Sequence, residues 1–187
     1  LTALYRGRAD MKWSVDRYTE VRGDILDADG LLGSAEHTIL APLDAAALLQ
    51  VERAARQVAT VTALAPIALV DVFTALTANL RMIRVIAEIY GGRSGTIGSW
   101  RLARSVLAHL VATGAVAIGD DLIGSVAGGS VLSKVSRRFG EGVINGALTA
   151  RVGIAAMEVC RPMAFRATKK PSVAGVMKRS VTGLFQS

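Results

Sequence analysis

From Leu43 the chain reads LDAAALLQVERAARQVATVTALA and meets no glycine or proline until Pro66, which opens a second run, PIALVDVFTALTANLRMIRVIAEIYGG, unbroken to Gly91. Strands rarely exceed about ten residues. Runs of this length, rich in Ala, Leu, Arg and Val, predict helices instead, the first of about six turns. In the second run Leu69, Val72, Phe73, Leu76, Leu80, Ile83 and Ile86 keep the three-four spacing of one core-facing stripe, and Gly91–Gly92 is a C-cap signal. Pro42 and Asp44 predict the start of the first helix, because proline suits a first turn and an acid suits the positive end of the helix dipole.

The rest of the chain reads the same way. Residues 1–22, with Tyr5, Trp13, Val15, Tyr18 and Val21 among charges, predict an amphipathic helix ended by Gly23, followed at 24–33 by an acidic, turn-rich loop or short helix. A helix from Trp100 to about Ile118 carries Arg101 and Arg104 in its first turns, where they oppose the dipole and call for a carboxylate or an anionic ligand. A last helix over 141–160 places Arg151 and Glu158 on one face and stops at Arg161–Pro162. Gly124 with Gly128, and Gly142 with Gly146 and Ala150, are small residues four apart that let helices approach closely. The prediction is an all-α, compact bundle of five to six helices with no sheet and a basic, weakly ordered C-terminal tail carrying an optional helix at 173–184. It divides into an N-terminal helix and loop (1–40), a helical core (41–162) and the tail (163–187).

Charge is unevenly spread. Residues 1–133 hold 12 Lys and Arg against 13 Asp and Glu, and residues 134–187 hold 10 against 2. The tail cations Arg166, Lys169, Lys170, Lys178 and Arg179 point to an anionic membrane surface or an acidic protein face. No nucleic acid is expected, since only Phe165 offers a stacking surface among them. The first twenty residues hold no apolar signal-peptide core, and the opening Leu1 suggests a piece of something longer. Apolar stretches at 57–70, 105–119 and 122–133 are cut short by Asp71, by Asp120 and Asp121, and by Lys134. They read as buried bundle helices rather than membrane spans.

Sites for chemistry are absent from the pattern. The glycines at 91, 92, 95 and 98 lack the lysine of a phosphate-binding loop, and Ser94 misses the register of a nucleophile elbow. A lone Cys160 and two distant histidines, His37 and His109, form no metal set. Catalytic, cofactor-binding and metal-binding residues are therefore expected to be none, and the chain is expected to be no enzyme. Asp71, flanked by valines, predicts an internal ion pair with Arg101, Arg104 or Arg151.

Two blocks carry a likeness: ALAPIALVDVFTALTANLRMIRVIAEIYGG at 63–92 and LTARVGIAAMEVCRP at 148–162. Over roughly 40–165 the chain resembles the YcjF-type bacterial inner-membrane proteins, an uncharacterised family related to a helical domain of unknown function attached to some bacterial GTPases. The resemblance implies two transmembrane anchors upstream of residue 1, with this portion on the cytoplasmic side of the inner membrane. It also implies a YcjX-like P-loop NTPase partner and a link to envelope stress. No catalytic residues carry over. Asp71, Asn79, Arg81, Tyr90, Arg151, Glu158 and Arg161 are the matching polar positions, assigned with Arg101 and Arg104 to internal pairing or an interaction face. The expected function is a self-associating, non-enzymatic interaction or scaffold domain; the alternative is a membrane-active module whose apolar helices bind or enter anionic bilayers.

Overall fold

A computed structural model describes residues 1–64, 68–91, 96–112 and 131–182. Among them the chain is helical, with no strand. The helices are α1 (Thr2–Tyr5), α2 (Lys12–Val21), α3 (Ala28–Ala35), α4 (Ala41–Leu64), α5 (Ala68–Ile89), α6 (Thr96–Ala112), α7 (Val131–Cys160) and α8 (Val173–Thr182).

The N-terminal region departs from the sequence reading in two places. One helix over 1–22 is instead α1 and α2 with a short turn at Ala9–Met11 between them, fixed where Arg8 clamps Asp10 and reaches across to Ile89. The stretch read as a loop or short helix at 24–33 starts a long helical run. Asp27 caps α3 by accepting from the Gly30 amide (2.6 Å), and helix continues through a π turn, Glu36–Leu40, into α4. Pro42 therefore lies inside a continuous helix. The Ala41 amide reaches back to the Glu36 carbonyl, and this widened turn accommodates a proline ring that would clash in a regular helix.

α4 and α7 form the centre. They pack antiparallel at glycine distance: a Cβ on Gly142 would lie 2.6 Å from the Ala59 carbonyl oxygen, and one on Gly153 would lie 2.6 Å from both Val51 methyls. The small-residue spacing at Gly142 and Gly146 thus does mark a close helix contact, whereas Gly124 and Gly128 lie outside the described residues. α7 begins ten residues before the expected start and ends at Cys160, as Pro162 dictates. The buried cluster draws on Tyr5, Met11 and Val15 near the N-terminus, Leu40, Val51 and Ala55 in and before α4, Ile83 and Ile86 in α5, Ile154 and Met157 in α7, and Val176 in α8.

The tail is a second departure. Residues 166–168 are pinned by hydrogen bonds to Glu36, and α8 docks on α4 through Arg179 with Glu52, the Ser180 hydroxyl donating to the Glu52 carbonyl (3.2 Å), and Arg56 donating to the Ser180 carbonyl (3.1 Å). Weak order was expected because the segment is basic and punctuated by Pro and Gly; polar pairing to distant acids, together with Val176 in the core and Met163, Phe165, Val173 and Met177 packed against it, orders it instead. The Arg138–Cys160 stretch of α7 is long and apolar enough to cross a membrane by length and composition. Here its Thr149–Met157 portion lies largely buried at the bundle centre.

Candidate functional site

Two ends of the bundle differ sharply. At one, where α4 begins and α7 ends, a buried polar network is built around Arg161. Its Nε and one terminal nitrogen donate to the Asp44 carboxylate (3.0 Å each), the other terminal nitrogen donates to the Met163 carbonyl (2.6 Å), and Glu36 lies 3.6 Å away. The guanidinium and the Glu36 carboxylate are each only 1% exposed. The Phe165 ring stacks on the guanidinium at 4.0 Å.

Glu36 is held from the other side as well. It accepts from the backbone amides of Arg166, Ala167 and Thr168 (2.9, 2.9 and 2.8 Å) and from the Thr168 hydroxyl (3.0 Å). Burial pushes its carboxyl up, but these bonds and the Arg161 charge outweigh burial and hold it below the usual carboxylate range. Tyr90 donates its hydroxyl to Asp44 (2.7 Å), and Tyr5 donates to the Tyr90 carbonyl (3.1 Å). Burial, then the Asp44 partner, raises the Tyr90 phenol far above its ordinary value. Glu36, Asp44 and Arg161 each have a partner, so the arrangement is a clasp joining five segments of chain.

A smaller cluster lies nearby. Glu158 pairs with Lys170 and with His109 Nε2 (3.1 Å), tying α6 and the post-α7 segment to α7. Burial opposes its ionised form, and these two partners more than compensate, lowering its pKa. The neighbouring Cys160 thiol is pushed up to about 11 by burial, so it is protonated and unreactive near neutrality. Among the described residues no group of three or more His, Cys, Asp or Glu is placed to hold a metal ion.

About 30 Å along α4 from Asp44 lies the opposite end. There Leu64 closes α4, Val72, Phe73 and Leu76 open α5, and Phe139 and Val143 lie near the start of α7; all six are exposed. Leu64, Phe139 and Val143 line an apolar groove of about 330 Å³ floored by Ala55, Ala59 and Ala63. This overturns part of the stripe read on α5. Ile83 and Ile86 face the core as expected, but Val72 and Phe73 are 67% and 69% exposed. The spacing is that of a core helix, yet no described helix covers its N-terminal half.

The residues singled out in the sequence scatter between these features. Tyr90 and Arg161 meet in the clasp, and Glu158 holds His109 and Lys170. Asn79 donates to the Ala75 carbonyl (2.8 Å) of its own helix. Arg81, Arg101 and Arg104 are exposed on α5 and α6, and Arg151 is half-buried on α7. Of the tail cations, Arg179 pairs with Glu52 while Arg166, Lys169 and Lys178 have exposed side chains. The side chain of Asp71 and both Asp120 and Asp121 lie outside the described residues, and with them the ion pair expected of Asp71.

Sequence reasoning missed Glu36, Glu52 and the true role of Asp44. The one signal for Glu36 was a carboxylate between Ala35 and the apolar Ile39–Leu40 pair.

The family of the domain of unknown function DUF697 matches residues 26–186 of this chain. A UPF0283 membrane protein of Rhizobium etli is 48% identical over 168 residues, covering 90% of this chain and 45% of that protein. One from Rhizobium meliloti is 53% identical over 157 residues (84% and 44%), and one from Mesorhizobium japonicum is 49% identical over 154 residues (82% and 43%). The chain thus spans a little under half the length of these curated relatives. No solved structure matches it.

Proposed function

This chain belongs to the DUF697 family, and we propose that its bundle is a non-enzymatic interaction domain of a bacterial inner-membrane protein, clasped at one end and making its contacts through the other. The observation that carries this reading is the exposed apolar end. Leu64, Val72, Phe73, Leu76, Phe139 and Val143 are large hydrophobic side chains left in water toward one end of the domain, three of them on the face of α5 that carries a core-like spacing; Leu4, Trp13 and Leu26 are exposed singly in the N-terminal region. Exposed apolar residues that share a helix face or line one groove, as Val72, Phe73 and Leu76 do on α5 and Leu64, Phe139 and Val143 do between α4 and α7, mark contact surfaces.

The first partner is a second copy of the chain, whose identical end is the same kind of surface. The second is a YcjX-like P-loop NTPase, which brings the nucleotide chemistry that these residues do not; the resemblance to YcjF-type proteins supports it, together with a role in envelope stress and a cytoplasmic placement. A competing reading lays the same end against an anionic bilayer. The relatives' description as membrane proteins and the apolar Arg138–Cys160 stretch favour it.

The double variant Phe73→Glu/Leu76→Glu separates these readings. Sedimentation velocity of the wild type is expected to show concentration-dependent association that the variant lacks. Flotation of the wild type on phosphatidylglycerol-containing vesicles that persists in high salt, and is lost in the variant, would replace that reading with the bilayer. A wild type that neither associates nor floats would remove both.

A further inference from the structure

A groove of about 290 Å³ runs between α4 and α5, between the clasp and the apolar end. Gln50, Arg53 and Gln57 line it from α4, Thr77 and Arg81 from α5, with the apolar Ala54, Ala78, Met82 and Val85 completing the lining. No acidic side chain lines it. Its arginines differ from their neighbours. Arg84, one turn beyond Arg81, is paired with Glu88 (2.9 Å), and Arg56, one turn beyond Arg53, donates to the Ser180 carbonyl. Arg53 and Arg81 themselves have no carboxylate partner among the described residues. Thr77 spends its one hydroxyl hydrogen on the carbonyls of its own helix, Phe73 (2.9 Å) and Thr74 (3.1 Å). The free donors are therefore two guanidiniums and two carboxamides, carried on antiparallel helices that line one groove.

We propose that this groove is a binding site for a phosphate group. A guanidinium presents a planar fork that matches two phosphate oxygens, and a tetrahedral phosphate still offers oxygens to a second fork on the opposite wall. A carboxylate directs its acceptor sites within one plane, whereas the tetrahedral phosphate directs them toward both walls. The small side chains Ala54 and Ala78 leave the space between the walls open to an anion. The phosphate belongs either to a lipid headgroup or to a soluble phosphate compound. α5 places Phe73 about 12 Å along its axis from Arg81, so an apolar end resting in a bilayer sets the groove near headgroup depth.

The test uses the whole 187-residue chain, Arg53→Gln/Arg81→Gln, and as charge-matched control Arg6→Gln/Arg22→Gln, exposed positions near the opposite end. Circular dichroism confirms that each variant folds. One arm titrates inorganic phosphate and follows backbone amide shifts by NMR; the other measures co-sedimentation with phosphatidylcholine vesicles with and without phosphatidylglycerol. Saturable phosphate shifts at residues 50–57 and 77–82, weakened roughly 25-fold in the groove variant at about fivefold per arginine and within about twofold in the control, support a soluble source. The same contrast seen on phosphatidylglycerol vesicles alone supports a headgroup. Equal losses in both double variants, or no saturable binding of the wild type in either arm, would overturn the site. This outcome is independent of whether the apolar end associates with itself, since neither arginine lies there.

Discussion

Arg161→Met is expected to destabilise the bundle by about 3–5 kcal/mol, enough to consume a large share of the stability of an ordinary domain. Among the described residues the arginine is the one cation paired with Glu36 and Asp44, and its removal leaves two carboxylates there with no positive charge to offset them. Glu36 would keep its three backbone amides and Asp44 the Tyr90 hydroxyl, so the site would not empty; it would become a pair of buried anions. Arg161→Lys retains the charge but lacks the fork needed to hold Asp44, Met163 and Thr168 together, and a loss of about 2 kcal/mol is expected. The triple variant Glu36→Gln/Asp44→Asn/Arg161→Met, with no charge left to strand, should recover most of the loss.

Urea unfolding as a function of pH gives this prediction a second signature. In the wild type the folded-state pKa of Glu36 lies below its unfolded value, so its contribution is fully present above the ordinary carboxylate range, near about 4.3, and is lost as pH falls through the folded pKa. In Arg161→Met one of the groups lowering that pKa is gone and burial acts against less opposition. The gap between wild type and variant should therefore narrow from about pH 7 to about pH 4. A gap that is constant across this range would mean that Arg161 acts by packing against Phe165 alone.

Glycine-to-alanine substitutions along α7 provide the second large effect, and the sign changes with position. In an exposed helix, alanine is favoured over glycine by about 1 kcal/mol, and Gly140, with nothing within 4 Å of a would-be Cβ, should gain up to that amount. At Gly142 the Cβ meets the backbone oxygen of Ala59 at 2.6 Å, and no side-chain rotation can relieve it. At Gly153 it meets both methyls of fully buried Val51 at 2.6 Å and the Met82 sulfur at 3.0 Å. Forced separation of α4 and α7 outweighs the propensity gain, and a net loss of about 2 kcal/mol at each is expected, or roughly 4–8 °C in Tm. Val51→Ala should rescue Gly153→Ala in part and Gly142→Ala not at all. Equal melting temperatures for all three alanine variants would show that the helices are not in close contact.

These two features differ in how visible they are in the sequence. Close approach at Gly142 and Gly146 is written in local spacing, as are the stop at Pro162, the extent of α5 and the helical character of the whole. The clasp is not. Glu36 and the amides of 166–168 are more than 129 residues apart, and Asp44 and Arg161 are 117 apart. Nothing local distinguishes Asp44 from an acid that merely favours a helix start, and the π turn that carries the helix past Pro42 depends on tertiary support at Glu36. The order of residues 166–168 is hidden for the same reason, because it comes from a distant acid, whereas α8 lies within the helix expected at 173–184. On α5 the periodicity was right and its meaning was not: spacing says that Val72, Phe73 and Leu76 share a face, but only packing says that the face is left open.

That open face is the basis of the functional reading, and its most direct test places a polarity-sensitive fluorophore there. With Cys160→Ala removing the native thiol, the label is attached through Phe73→Cys in one protein and through Trp13→Cys, exposed on α2 toward the clasped end, in another. On raising protein concentration, or on adding phosphatidylglycerol-containing vesicles, emission from position 73 should move to the blue as the apolar end is covered, while emission from position 13 stays at its value in water. If position 73 stays water-like under both conditions, or position 13 shifts as much, the apolar end is not the contact surface.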